Sequence, residues 1–125
     1  MIREDYIMRI IHEAVRTLLK LLFGIEEEKE EEIVLSDAVT AEKYKRLCQL
    51  ARQGQINQAE NQLWEQLDGA DQEDFKMAIL FYEYLNQMTD EQLEQGDYSR
   101  EEISQGLLAA AKQYGYDGMV GALLS

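Results

Sequence analysis

The residue types that most often carry chemistry are scarce in this chain. His12 is its only histidine and Cys48 its only cysteine. Helical spacing places His12 at the polar flank of the first predicted helix, which is typical of a surface or interface histidine. Cys48 falls within an apolar row, where burial disfavours the thiolate and indicates a packing role. Neither residue is predicted to be catalytic.

Metal and cofactor sites are not predicted either. One histidine and one cysteine on different helices do not supply the ligand spacing of a zinc site. The Glu-x-x-His pairs of a di-iron bundle are missing from the sequence, as is a phosphate-binding glycine loop. We therefore expect no catalytic residue, no metal ligand and no cofactor.

Carboxylates are the one abundant reactive group, with 25 aspartates and glutamates in the chain. An enzyme that uses buried carboxylates is one alternative, in which Asp97 or Glu101 meets Asp117 through tertiary folding. Small acidic helical domains usually carry such charges on a solvated face, so that interpretation is favoured.

The elements that position these residues are predicted to be helices. Apolar residues recur at steps of three and four through residues 1–25, and no segment alternates as a strand does. The candidate interaction face of this first helix is formed by Ile7, Ile11, Val15, Leu18 and Leu22. It is wider than the apolar face of an ordinary surface helix, so it needs two neighbours.

The rest of the chain is predicted to be a bundle of short helices separated by Gly and Asp residues. Residues 1–25 form the N-terminal amphipathic helix, residues 26–35 an acidic linker, and residues 36–125 the helical bundle domain. The pattern over residues 72–88 is apolar on almost every side, which predicts the most buried helix. Capping-box spacing at Thr89 and Ser99 marks two further helix starts. The fold class is all-α, a bundle of about five or six helices.

Composition limits the partners. The net charge of −13 argues against binding to nucleic acid, which requires a basic face. A single cysteine fits a reducing, cytoplasmic location. Charged residues interrupt the apolar N-terminal segment at regular intervals, so neither a signal peptide nor a membrane-spanning helix is predicted.

Residues 47–67 carry the pattern of a helical hairpin. A glycine turn at Gly54 is followed five residues later by the small residue Ala59, with Leu47, Ala51 and Leu63 in the flanking apolar rows. This resembles a single hairpin of the tetratricopeptide repeats, a family whose stacked repeats line a peptide-binding groove. No second copy follows at the required period, so the resemblance implies a partly repeat-like bundle.

The two ends of the chain carry a second resemblance. Its residues are Asp5-Tyr6-Ile7-Met8-Arg9, Leu21-Leu22-Phe23-Gly24, Tyr98-Ser99-Arg100-Glu101-Glu102-Ile103 and Tyr114-Gly115-Tyr116-Asp117-Gly118. They resemble an uncharacterised family of short cytoplasmic proteins from low-GC Gram-positive bacteria. That family has no assigned activity, so the resemblance implies a fold and no functional residue.

The function predicted from these patterns is a non-catalytic protein–protein interaction module. Its first helix docks on its own body, on a second copy to form a homodimer, or on another protein. Attachment to a membrane surface is the alternative, because Arg9, Arg16 and Lys20 flank the apolar face. The glutamates of residues 26–32 would be repelled by anionic lipids, which disfavours that alternative.

Overall fold

The computed structural model describes residues 2–26, Leu35 and residues 37–125, and seven α-helices lie within them. The helices are α1 (Ile2–Phe23), α2 (Ala38–Arg52), α3 (Ile56–Gln66), α4 (Gln72–Asn86), α5 (Asp90–Gln95), α6 (Arg100–Gln113) and α7 (Asp117–Leu124). The all-α prediction is confirmed. Most of the predicted acidic linker, residues 26–35, lies outside the described residues.

Helices α5 and α6 are separate elements because each begins with its own capping box. The hydroxyls of Thr89 and Ser99 accept hydrogen bonds from the backbone N–H groups of Gln92 and Glu102. The side chains of Gln92 and Glu102 in turn accept from the backbone N–H groups of Thr89 and Ser99. Both predicted capping boxes are confirmed. Between the helices, Asp97 has a φ of 55°, a left-handed conformation that aspartate tolerates better than most residues. The described residues form seven helices, against about five or six that the sequence predicts.

Helix α4 is the centre of the molecule. Most of its residues are buried, and α1, α2 and α6 all pack against it. Helix α7 packs on α1 and α6, while α3 packs on α2 to form the hairpin at residues 47–67. A helix that is apolar on most sides is stable only when other elements enclose it. The prediction that residues 72–88 hold the most buried helix is confirmed.

The apolar face of α1 is used within the chain. Ile11, Val15 and Leu18 are fully buried, and Ile7 and Leu22 are half-buried against the same core. Helix α1 packs on α4, α6 and α7 of its own body. Three of the five residues of the candidate interaction face therefore lie in the chain's own core, which is the first of the docking options that the sequence left open.

Two polar contacts from α4 fix the position of α1. The Asn86 side-chain amide donates to the Met8 carbonyl oxygen at 2.9 Å. The imidazole Nδ1 of His12 lies 2.5 Å from Glu83 Oε2, and the Glu83 side chain is only 7% exposed. Because buried polar groups are costly unless they are paired, these contacts favour one register of α1 over others.

Arg100 closes the C-terminal end of α4. Its side chain is almost fully buried, and its guanidinium donates to the carbonyl oxygens of Asn86 at 2.6 Å and Met88 at 2.7 Å. It also donates to Asp90 Oδ1 at 3.0 Å. The last carbonyl oxygens of a helix have no hydrogen-bond donor within the helix. Arg100 of α6 supplies that donor at the end of α4.

We expect Arg100→Ala to lower the free energy of unfolding by about 3 kcal/mol, because it leaves buried carbonyls without donors. Urea denaturation followed by circular dichroism measures the change. Arg46→Ala, at an exposed position on α2, is the control and should change stability by about 0.5 kcal/mol or less. Equal losses in the two variants would contradict this role of Arg100.

Candidate binding cleft

A cleft of about 290 Å³ lies between α3 and α6. Glu60 and Trp64 line it from α3, where they are one turn apart and share a face. Four residues on one face of α6 and Tyr98, just before that helix, form the other wall; the four are Glu102, Gln105, Gly106 and Ala109. Spacing of three and four residues within each helix therefore assembles the two walls.

A buried tyrosine of α4 lies beneath the cleft and joins its walls. The Tyr82 hydroxyl donates to Glu60 Oε2 at 2.7 Å and accepts from Trp64 Nε1 at 3.1 Å. The Tyr98 hydroxyl donates to the same Glu60 oxygen at 2.8 Å. Two phenols thus hold one carboxylate oxygen in place.

Gly106 makes room for that tyrosine. A Cβ atom at this position would lie 2.5 Å from Cε1 and Cζ of the Tyr82 ring. From the sequence, we expect the small residues Gly106 and Ala110 to admit a neighbouring helix. Helix α4 packs on α6, and its group in closest approach to Gly106 is the Tyr82 phenol, whose hydroxyl donates to Glu60.

Burial and the neighbouring carboxylate keep both phenols protonated. Burial, and then the charge of Glu60, raise the pKa of Tyr82 well above its ordinary value. The same two causes, in the same order, raise the pKa of Tyr98. Both hydroxyls therefore remain hydrogen-bond donors at neutral pH, and Glu60 keeps two fixed donors.

The carboxylates of the cleft each have one oxygen that is held and one that is not. Glu60 is held through Oε2, and Glu102 through Oε1, which accepts from the Ser99 backbone N–H at 2.9 Å. Within the described part of the chain, neither Glu60 Oε1 nor Glu102 Oε2 has a hydrogen-bond partner. Together with the carbon surface of Trp64 and Ala109, these free oxygens equip the cleft to bind a donor or cationic group.

His12 and Cys48, the single histidine and the single cysteine of the chain, lie outside the cleft. His12 is at the α1–α4 contact with Glu83. Cys48 is buried on α2, where burial raises the pKa of its thiol, as its apolar row predicts. The structure does not bring either side chain to the cleft.

The acids of the enzyme alternative are also dispersed. Asp97, Glu101 and Asp117 are exposed, and they lie between α5 and α6, in the first turn of α6 and at the start of α7. They do not form a buried site. Among the residues that the structure describes, no group of three or more His, Cys, Asp and Glu side chains is placed to hold a metal ion.

Sequence reasoning missed the polar residues that matter most here. Glu60 and Trp64 are one turn apart, but nothing in the sequence links them to Tyr82. Glu83 could have been singled out from the sequence, since it is an acid in the helix predicted to be the most buried, and such a residue needs a buried partner.

Two glycine substitutions test the packing beneath the cleft. We expect Gly106→Ala to lower the free energy of unfolding by about 1–3 kcal/mol, because the new methyl group displaces the Tyr82 ring. Gly121→Ala is the control on α7, where the nearest atom is 3.9 Å away. Removing a helical glycine there should raise stability by about 0.5–1 kcal/mol. Urea denaturation measures both, and a stabilised Gly106→Ala would contradict the close approach.

The raised pKa of the two phenols predicts a loss of stability in alkali. Above about pH 10 the unfolded chain loses phenolic protons that the folded chain retains, so the free energy of unfolding falls as pH rises. We expect Tyr98→Phe to make this decline shallower by about 1 kcal/mol per pH unit. Urea denaturation between about pH 9 and pH 11 measures the slope. A Tyr98→Phe variant whose stability declines as steeply as that of the natural chain would contradict the raised pKa of Tyr98.

Comparison with known proteins gives a family and no characterised relative. No curated protein and no solved structure matches the chain significantly. One family model matches residues 1–115, a range that includes α1 to α6 and every residue lining the cleft. The chain therefore belongs to the family of unknown function DUF6483.

Proposed function

We propose that this chain is a non-catalytic protein–protein interaction module that receives its partner in the cleft between α3 and α6. The observation that carries the proposal is a preformed cleft in which two carboxylates are held in place while each keeps one free oxygen. Binding sites are typically concave and preformed, with a few fixed polar groups that orient the ligand.

The apolar face of α1 contributes little to this proposal, because most of it lies in the chain's own core. Among the α1 side chains that the structure describes, those of residues 5–23, the large apolar ones left exposed are Tyr6, at 58%, and Leu21, at 64%. They are about 22 Å apart along the helix, too far to form one patch. This spacing disfavours both a homodimer through α1 and attachment to a membrane surface.

Crossing a membrane is a separate matter from attachment. Within the described ranges, the structure contains no helix with the length and apolar character needed to span a bilayer.

A second groove, of about 200 Å³, lies where α1, α6 and α7 meet. Its lining includes the aliphatic side chains of Ile7, Ile10, Ile11 and Leu124. The other residues of its lining are Glu101, Ser104 and Gln105, and none of the seven is aromatic, so it offers less specificity than the α3–α6 cleft.

The proposal places the module in a reducing cytoplasm, in keeping with its buried, unpaired Cys48. The sequence resemblance to short cytoplasmic proteins of low-GC Gram-positive bacteria supports the same location.

Selection of short random peptides displayed on phage tests the proposal, with the full chain as the target. Ala109→Phe is the blocking variant, because Ala109 is exposed and lines the cleft. We expect enriched peptides to bind this variant at least about tenfold more weakly than the natural chain, a loss of about 1.4 kcal/mol. Isothermal titration calorimetry measures the affinities.

Ala122→Phe is the matched control, since Ala122 is exposed on α7 and lies outside the cleft. Peptides should bind it as tightly as the natural chain. A selection that enriches no peptide, or only peptides that bind both variants equally, would overturn the proposed function.

A further inference from the structure

We infer that the cleft takes a basic side chain, lysine or arginine, presented by a partner protein. This inference rests on the proposed function and specifies the chemistry of its ligand. It follows from the charge, the surface and the size of the cleft.

The charge of the cleft is negative and uncompensated. Glu60 and Glu102 both line it, and neither carboxylate forms an ion pair with a lysine or arginine in the described part of the chain. The buried donors to Glu60 are neutral phenols, which position the carboxylate without neutralising it. A bound cation would supply the missing charge through charge-assisted hydrogen bonds to the free oxygens.

The walls of the cleft suit an organic cation with an apolar stem. The indole N–H of Trp64 is already bonded to Tyr82, so Trp64 presents carbon surface to the cleft. Tyr98 adds a second aromatic ring, and Ala109 adds a methyl group. Lysine and arginine combine a hydrocarbon stem with a charged head, and that head is attracted to aromatic faces.

The size and the overall charge favour a side chain of a protein partner. A volume of about 290 Å³ is at the lower end of ligand pockets, which fits one long side chain better than a cofactor. The net charge of −13 attracts basic protein surfaces over long range and speeds their association. The cleft would then give that encounter its specificity.

The single tryptophan of the chain makes a direct test possible. Trp64 is in the cleft wall, so the one side-chain indole resonance in an NMR spectrum of the full chain reports on the site. The probes are the N-acetyl methylamides of arginine, lysine and citrulline, the last being an uncharged analogue of arginine. We expect saturable shifts with arginine and lysine, and binding of citrulline at least about tenfold weaker.

Charge-removing variants separate the cleft from the general acidity of the chain. Glu102→Gln removes one cleft charge, while glutamine still serves the capping box with Ser99. It should weaken binding of the arginine probe about tenfold. Glu65→Gln, at an exposed position on α3 outside the cleft, makes the same change in net charge and should leave binding unchanged.

The outcomes distinguish this inference from the proposed function. Equal binding of citrulline and arginine, or equal effects of Glu102→Gln and Glu65→Gln, would overturn the basic ligand while leaving a peptide-binding cleft in place. Binding of butylguanidine at least about tenfold tighter than the arginine probe would assign the cleft to a free small cation and overturn the protein side chain. Arginine binding that persists in Ala109→Phe would overturn both proposals.

Discussion

The buried guanidinium of Arg100 is the interaction on which the arrangement of the helices depends. It reaches from α6 to the carbonyl oxygens at the end of α4 and to the first residue of α5. It also contacts the Asn86 side chain, whose amide holds the Met8 carbonyl of α1. Because the Arg100 guanidinium and the Asn86 side chain are buried and would be costly to leave unpaired, the four helices can shift relative to one another only by breaking several bonds together.

The cleft is a consequence of that arrangement. Helix α6 is held against α4, whereas α3 is held mainly by α2, so the two walls of the cleft belong to different pairs of packed helices. Tyr82 connects them from below, with its ring against Gly106 and its hydroxyl between Glu60 and Trp64. A side chain of the core thereby sets the position of the polar groups that face solvent.

Much of the fold could be predicted from the sequence because it depends on local signals. The capping boxes at Thr89 and Ser99 and the burial of Cys48 follow from short-range patterns that the structure retains. The candidate site could not be predicted in this way. Glu60, Tyr82 and Tyr98 are far apart in sequence, and no helical period relates an acid on α3 to phenols on two other segments.

The packing of α1 could be predicted only in part from its helical periodicity. The width of its apolar face correctly indicates that it needs more than one neighbour, and it packs on α4, α6 and α7. Periodicity does not say whether those neighbours belong to the same chain. That choice depends on partners such as Glu83 and Asn86, which meet α1 only after the chain has folded.

Tyr82 is part of the hydrophobic core and also positions Glu60 in the cleft, so folding of the core and binding in the cleft are thermodynamically linked. Unfolding the core withdraws the donor that holds Glu60, so a compound that occupies the cleft binds the folded chain and not the unfolded one. By mass action such a compound raises the melting temperature, by an amount that grows with its concentration relative to its Kd. The heat stability of the chain is thus itself a reporter of cleft occupancy, available before any partner has been identified.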